Sequence, residues 1–193
     1  ALRRLAEALS CYDRTLSVQP DYAETHNNRG NALRELGRAD EALASYDRAL
    51  ALRPDFADAL NNRGVTLHAL ARYDDALTSF DRALTIRPDY AKALYNRGNT
   101  LKAMRRFDDA LASYDRAVAV QPNHAEALFN RGVVQHERGR NEAALASYDA
   151  AIAARPDNAD AHSNRGVVLH ELGRFDEALA SYDRALALRP DYG

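Results

Sequence analysis

The chain has 193 residues, of which 26 are basic and 28 acidic, for a formal net charge of −2. That balance argues against a general polyanion binder, which needs a strong basic excess, and no apolar run reaches the roughly 18–20 residues of a membrane span. The single cysteine, Cys11, excludes an intramolecular disulfide and a thiolate zinc cluster. Only Lys92 and Lys102 among the basic residues are lysines, an arginine bias that, with abundant alanine, points to a GC-rich bacterial genome. The start shows no signal-peptide pattern, so a cytoplasmic location is expected.

The elements follow a fixed step. The prolines fall at Pro20, Pro54, Pro88, Pro122, Pro156 and Pro190, each 34 residues after the last, and Gly30, Gly64, Gly98, Gly132 and Gly166 keep the same interval. A step of this size marks an array of stacked units. Residues 1–22 read as the tail of one unit, with Ala8, Tyr12 and Pro20 in register. Complete units follow at 23–56, 57–90, 91–124, 125–158 and 159–192, as one continuous array. Numbering each unit from 1 to 34 puts glycine at position 8 and proline at 32. The chain starts near position 13 of one unit and stops just past position 34 of another, without a polar capping helix. It is therefore expected to be a piece of a longer protein.

Within a unit the pattern predicts two helices. In the second unit the first runs from Ala57 to Leu70, Ala71-Arg72 makes the turn, and the second runs from Tyr73 to Arg87 until Pro88 stops it. The residues after the prolines (Asp21, Asp55, Asp89, Asn123, Asp157 and Asp191) are expected to cap the following helices. Asp21 with Glu24, Asp55 with Asp58 and Asn123 with Glu126 have loose capping-box spacing. Acid pairs such as Asp40-Glu41, Asp74-Asp75 and Asp176-Glu177 open the second helices, where the macrodipole favours negative charge.

The small and aromatic positions carry a family likeness. Position 20 is Ala42, Ala76, Ala110, Ala144 or Ala178; position 24 is Tyr46, Phe80, Tyr114, Tyr148 or Tyr182; position 27 is Ala49, Ala83, Ala117, Ala151 or Ala185. With glycine at 8 and proline at 32, this resembles the tetratricopeptide repeat over essentially the whole chain. The resemblance implies an all-α fold, a superhelical solenoid of stacked antiparallel helix pairs. A mid-helix glycine costs about 1 kcal/mol relative to alanine, so five in register imply close helix contact. In the fourth unit Gln135 replaces the leucine of position 11 and Arg138 stands at position 14, so that unit is expected to pack less well.

Positions 2, 5, 6, 9, 12 and 13 of the first helix share one face. In the family that face lines a concave groove for extended peptides or partner helices, so the resemblance assigns it as the binding surface. Its constant feature is an asparagine row at position 6: Asn28, Asn62, Asn96, Asn130 and Asn164, joined by Asn31 and Asn99 at position 9. Paired amide donors and acceptors suit the backbone of an extended peptide. The row is similar to the asparagine ladder of O-linked N-acetylglucosamine transferases; it reads equally as a structural feature. Tyr95 and Phe129 at position 5, near Lys92 and Lys102, form an expected exposed aromatic patch with cations. Arg29, Arg63, Arg97, Arg131 and Arg165 at position 7 lie on an otherwise apolar face and should pair with acids. The candidates are Asp47, Asp81, Asp115, Asp149 and Asp183 at position 25.

Other chemistries find no footing. The carboxylate clamp of chaperone-binding relatives needs lysine at position 5, which holds none here. The six histidines lack metal-ligand spacing, no phosphate loop or nucleophile elbow stands outside the repeats, and Cys11 reads as a small buried residue. The expectation is a non-enzymatic scaffold for protein or peptide ligands, with no catalytic residue, metal, cofactor, nucleic acid or membrane. The alternatives are the substrate-presenting arm of an O-linked N-acetylglucosamine transferase-like enzyme, or a structural module that self-associates through uncapped ends.

Overall fold

A computed structural model describes residues 2–190, which form helices without a strand among them. In chain order they are α1 (Leu2–Val18), α2 (Ala23–Glu35), α3 (Ala39–Leu52), α4 (Ala57–Ala69), α5 (Tyr73–Ile86), α6 (Ala91–Ala103), α7 (Phe107–Val120), α8 (Ala125–Glu137), α9 (Asn141–Ala154), α10 (Ala159–Glu171) and α11 (Phe175–Leu188). From α2 onward, helices of 13 residues alternate with helices of 14. The second helices stop as the prolines dictate. Arg53, before Pro54, is already extended at φ −138° and ψ 90°, the conformation that proline imposes on its predecessor.

The caps fall one residue later than the sequence suggests. The first helices are preceded by Tyr22, Phe56, His124 and Asn158 at position 34. The aspartates stand one place earlier, in the turn, so neither their capping nor the capping boxes form; Asp191 lies outside the described residues. Among these cap residues, the side chains of His124 and Asn158 accept a backbone N–H, from Ala127 and Ala161. Elsewhere the turn is held by its own backbone, as where Asp55 O accepts the Ala57 N–H at 3.0 Å. The Arg53 guanidinium lies 3.5 Å over the Phe56 ring in the same turn.

The turn between paired helices requires a left-handed residue. Gly37, Gly139 and Gly173 take φ of 75°, 68° and 74°, but Ala71 and Arg105 stand at the same position with 57° and 58°. Each is followed by a bond back to the first helix, such as Arg72 N–H to Leu67 O at 2.9 Å, which is the Schellman closure of a helix end. The second helix then opens on an arginine bound to an acid three residues on. Arg38 grips Glu41 through two bonds of 2.6 Å, and Arg72, Arg106 and Arg174 repeat the arrangement with Asp75, Asp109 and Glu177.

The chain divides into two compact units, residues 1–100 and 101–193. In the first, α1 packs on α2, and α2 with α3 and α4 with α5 form antiparallel pairs. Leu9, Leu33, Ala42 and Tyr46 make one buried cluster; Leu43, Leu67, Ala76 and Phe80 make the next. The second unit pairs α8 with α9 and α10 with α11 around Leu145, Tyr148, Val168 and Leu169. Close approach explains the mid-helix glycines: a Cβ on Gly64 would lie 2.6 Å from Phe80 Cε1.

One expectation changes. Cys11 is exposed, not buried. At the same position Ser45, Ser79, Ser113, Ser147 and Ser181 are buried on second helices that follow the first helix of their own repeat, whereas among the described residues α1 packs on α2 alone. In the fourth unit Gln135 is half-buried where Leu33, Leu67, Leu101 and Leu169 are fully buried. Its Oε1 takes the Ser147 hydroxyl at 2.6 Å, which other serines of this row give to the backbone carbonyl one turn earlier.

Left-handed backbone costs a non-glycine residue about 1–2 kcal/mol, partly offset by the extra freedom glycine has when unfolded. Nothing lies within 4 Å of the added Cβ at the equivalent Gly37, so only the backbone decides. Ala71→Gly and Arg105→Gly should each raise stability by about 0.5–1 kcal/mol in urea denaturation. Destabilisation by both would show that these turns are not strained.

Candidate functional site

The arginines of position 7 reach backward and forward at once. Arg63 on α4 donates from Nε to Asp47 on α3 at 2.7 Å and from Nη1 to Ser79 on α5 at 2.8 Å, so one guanidinium joins three helices. Arg29 does the same with Asp13 and Ser45, and Arg165 with Asp149 and Ser181; Arg131 reverses the fork, donating from Nε to Ser147 and from Nη1 to Asp115. Arg97 bonds Asp81 at 2.6 Å. The expected pairing is therefore present in all five units, always with the aspartate of the preceding unit. Asp13 consequently serves in the partial unit, and Asp183 pairs with none of the five. The guanidinium side chains are 21–26% exposed, and their stems pack against apolar surface as arginine allows.

In the first compact unit, residues 1–100, the asparagine row is wired into the scaffold. Asn62 Nδ2 donates to Asn27 Oδ1 at 3.0 Å, and Asn96 Nδ2 donates to Asn61 Oδ1 at 2.9 Å. Longer contacts of 3.4 and 3.5 Å, from Asn27 to Asn28 and from Asn61 to Asn62, continue the relay. Asn27 and Asn61 are buried, Asn28 is exposed, and Asn62 and Asn96 are half-buried. The partners at position 5 were not singled out in the sequence, although the Asn-Asn pairs at 27–28 and 61–62 repeat at the unit step. Asn31, assigned to the same face, accepts the buried Tyr46 hydroxyl at 2.9 Å. Asn99 stands at the matching place on α6 and is half-buried, as is Tyr95.

The second compact unit, residues 101–193, uses other partners. Asn130 Oδ1 accepts from Lys102 Nζ at 3.1 Å, and burial pushes the ammonium down, with Glu137 opposing. Phe129 is not the exposed aromatic that was expected. It is half-buried, 5.9 Å from the Tyr148 ring and packed against Leu128 and Ala151, because position 5 here turns toward the helix pair. Tyr148 itself is fully buried and its hydroxyl has no partner in hydrogen-bond geometry among the described residues; burial pushes the phenol up to about 12, with the neighbouring Asn164 amide opposing. At position 9, where Asn31 serves Tyr46, the fourth unit has Val133. Asn164 is half-buried on α10.

Charges along this face are mostly neutralised. At position 2, Glu24 and Asp58 bond Arg53 and Arg87 at 2.5 and 3.0 Å, Glu126 bonds Arg155, and Asp160 bonds Arg189 at 3.3 Å. The third unit changes both members, to Lys92 and Gln121, so the exposed Lys92 replaces a paired acid. Burial pushes the Asp58 carboxyl up, but bonds from Tyr90 Oη at 2.6 Å and from Arg87, with the Lys92 charge, hold it below its usual range. Position 12 contributes His68, whose Nδ1 donates to Thr100 Oγ1 at 2.9 Å because that hydroxyl itself donates to Asn96 O. It also contributes His136, 3.0 Å from Glu171. His26 and His162 bond linker carbonyls at Pro20 and Pro156. No three potential metal ligands cluster among the described residues, and no helix there is long and apolar enough to cross a membrane.

Comparison with known proteins places this geometry. Tetratricopeptide repeat profiles match residues 95–155 and 137–193, and related profiles match residues 11–44, 30–71 and 55–123. No curated protein matches the chain. Among solved structures, YrrB, described as a TPR protein with an unusual peptide-binding site, shares 28% identity over 94% of this chain and 93% of its own, with a TM-score of 0.75. MamA from Desulfovibrio magneticus shares 22% over 89% and 97%, at 0.78. PilF of Pseudomonas aeruginosa shares 19% over 97% and 86%, at 0.87. The last two bear on the fold alone.

Two outcomes separate wiring from packing on this face. Tyr46→Phe leaves Asn31 without its donor and should cost about 1 kcal/mol, whereas Tyr148→Phe removes an orphaned hydroxyl and should be neutral or stabilising by up to about 1 kcal/mol. Equal losses in thermal denaturation would show that Tyr148 has a partner. Asp58 contributes stability above its ordinary value of 3.8 that fades as pH falls through its lower folded value. Tyr90→Phe should therefore destabilise by about 1–2 kcal/mol at neutral pH, with the difference fading as acid takes the pH below the ordinary 3.8 and through the lower folded value of Asp58. A difference that persists in acid would assign the effect to packing.

Proposed function

The chain belongs to the tetratricopeptide repeat family, and on that premise we propose that it is a non-catalytic protein-interaction scaffold that binds an extended peptide along the face of its first helices. The observation that carries this reading is how the asparagine row is bonded. Asn62 and Asn96 each commit one amide N–H to the preceding repeat, and a carboxamide has two N–H groups and two lone pairs. The row is thus held rigid in one direction while keeping donor capacity for a ligand, which lowers the entropy lost on binding. Asn28, Asn130 and Asn164 extend it, Lys102 brings an ammonium that Asn130 orients, and Lys92, Tyr95, Phe129, Asn31 and Asn99 complete the proposed set. The third and fourth repeats contribute most, since they alone add aromatic and ammonium groups at positions 2, 5 and 12. The peptide-binding description of YrrB, at 28% identity, supports a peptide as ligand.

The asparagine row also suits a second reading, in which the repeats present substrate to an attached glycosyltransferase domain. Sequencing the parent gene on both sides of the chain separates the two.

A peptide selected on the whole chain from a random display library provides the probe. Replacing Asn96 and Asn130 together with alanine should weaken it about tenfold or more, at on the order of 1 kcal/mol per neutral contact. If that variant, Tyr95→Ala and Phe129→Ala all bind as tightly as the parent, the ligand does not use this face.

A further inference from the structure

Three departures from the chain's own repeat pattern fall at one edge of the second compact unit. Position 14 is Leu36, Leu70, Met104 and Leu172, but Arg138 in the fourth repeat. Position 15, the left-handed turn residue, is Gly37, Ala71, Gly139 and Gly173, but Arg105 in the third. Position 19 is Glu41, Asp75, Asp109 and Glu177, but Ala143 in the fourth. Arg140 therefore lacks the acid three residues on that holds Arg38, Arg72, Arg106 and Arg174. Two cations are added, one carboxylate is lost, and every change moves the charge the same way.

The structure brings these residues together at the turns between α6 and α7 and between α8 and α9. Arg140, without its own acid, reaches back to Asp108 at 3.3 Å, and Arg138 approaches the other oxygen of that carboxylate at 3.7 Å. Arg106 keeps Asp109 at 2.7 Å, and the exposed Arg105 lies 5.5 Å over the Phe107 ring. Among the described residues, four guanidiniums thus meet two carboxylates. The flanking acids face other bases, Glu137 acting on Lys102 and Glu142 on Arg174. Arg105 also keeps its turn at φ 58°, a strain that glycine would relieve.

We infer that this edge is a docking site for an acidic segment of a partner protein, which brings neighbouring carboxylates to Arg105, Arg138 and Arg140. Asp108 already displays how the site takes a carboxylate, with one oxygen toward each of Arg138 and Arg140. A guanidinium has five N–H donors, so both arginines keep most of theirs for a ligand. The chain as a whole is negative, at −2, so the positive surplus is local. A local surplus on an exposed surface chooses the partner and its register more than it adds affinity. Nucleic acids and anionic membranes need a larger basic excess than this edge offers. The surface is built from positions 14 to 16 at the turns, and so from different residues than the first-helix face proposed for peptides.

The probe is fluorescein-labelled hexaglutamate titrated with the whole chain and read by anisotropy, with hexaglutamine as the neutral control. Hexaglutamate should bind saturably, and more weakly as salt screens the exposed charges; hexaglutamine should not bind. A triple variant, Arg105→Gly with Arg138→Leu and Ala143→Glu, returns the edge to residues that the other repeats carry. It should weaken hexaglutamate binding about tenfold or more. Its thermal midpoint should not fall, because each substitution copies a residue already accommodated at that position, and this separates lost binding from lost folding. The inference is overturned if hexaglutamate fails to bind, or binds the triple variant as tightly as the parent chain. It is equally overturned if a singly phosphorylated neutral peptide, duplex DNA or phosphatidylserine vesicles bind the parent more tightly than hexaglutamate does, because the partner is then of another class.

Discussion

The contact on which the structure depends is the approach of a second-helix ring to a first-helix glycine. Gly30 and Gly64 sit so close to Tyr46 and Phe80 that any side chain there would overlap the ring. That distance sets how the helices of a pair cross, and so which residues of the first helix face inward and which are left for the outer face. Glycine is a poor helix former, and its cost is tolerated because the ring buries a large apolar area in return. The fourth and fifth repeats make the same contact, between Gly132 and Tyr148 and between Gly166 and Tyr182.

Pairs formed this way still need a register against their neighbours, and polar groups provide it. Arg63 holds helices before and after its own, and the amides of Asn62 and Asn96 tie successive first helices. Each half-exposed ion pair contributes little by itself, about 0–1 kcal/mol. Their value lies in geometry: a planar fork between a fixed carboxylate and a fixed hydroxyl allows one placement of the helix. In an array where each unit touches only its neighbours, such small terms recur at every interface and add. The rule also explains the third unit, where Lys92 and Gln121 change together and no acid is left unpaired at position 2.

Much of this was legible in the residues. The 34-residue proline step foretold the helix pairs, the glycine and aromatic positions foretold their contact, and the apolar surroundings of the position 7 arginines foretold their pairing. What escaped was decided by relations between units that no single unit displays. The asparagine row read equally as a ligand surface and as a structural feature because its partners, Asn27 and Asn61, stand at a position that varies elsewhere. Phe129 looked exposed for the same reason, yet it fills space beside Tyr148. The caps were misplaced by one residue because a post-proline aspartate suits a cap chemically, whereas the backbone turn places the next residue there. Cys11 was judged by its position in a full repeat, although among the described residues α1 packs on α2 alone.

The account rests on an amide row that is held by the scaffold on one side and open to a ligand on the other. Side-chain amide resonances report on it directly, through nitrogen-15 correlation spectra recorded while a selected peptide is titrated into the whole chain. The expected result is that the Nδ2 signals of Asn62, Asn96, Asn130 and Asn164 shift together and saturate with the peptide, while those of the buried Asn27 and Asn61 move less. Saturable binding that leaves all four signals in place would contradict it.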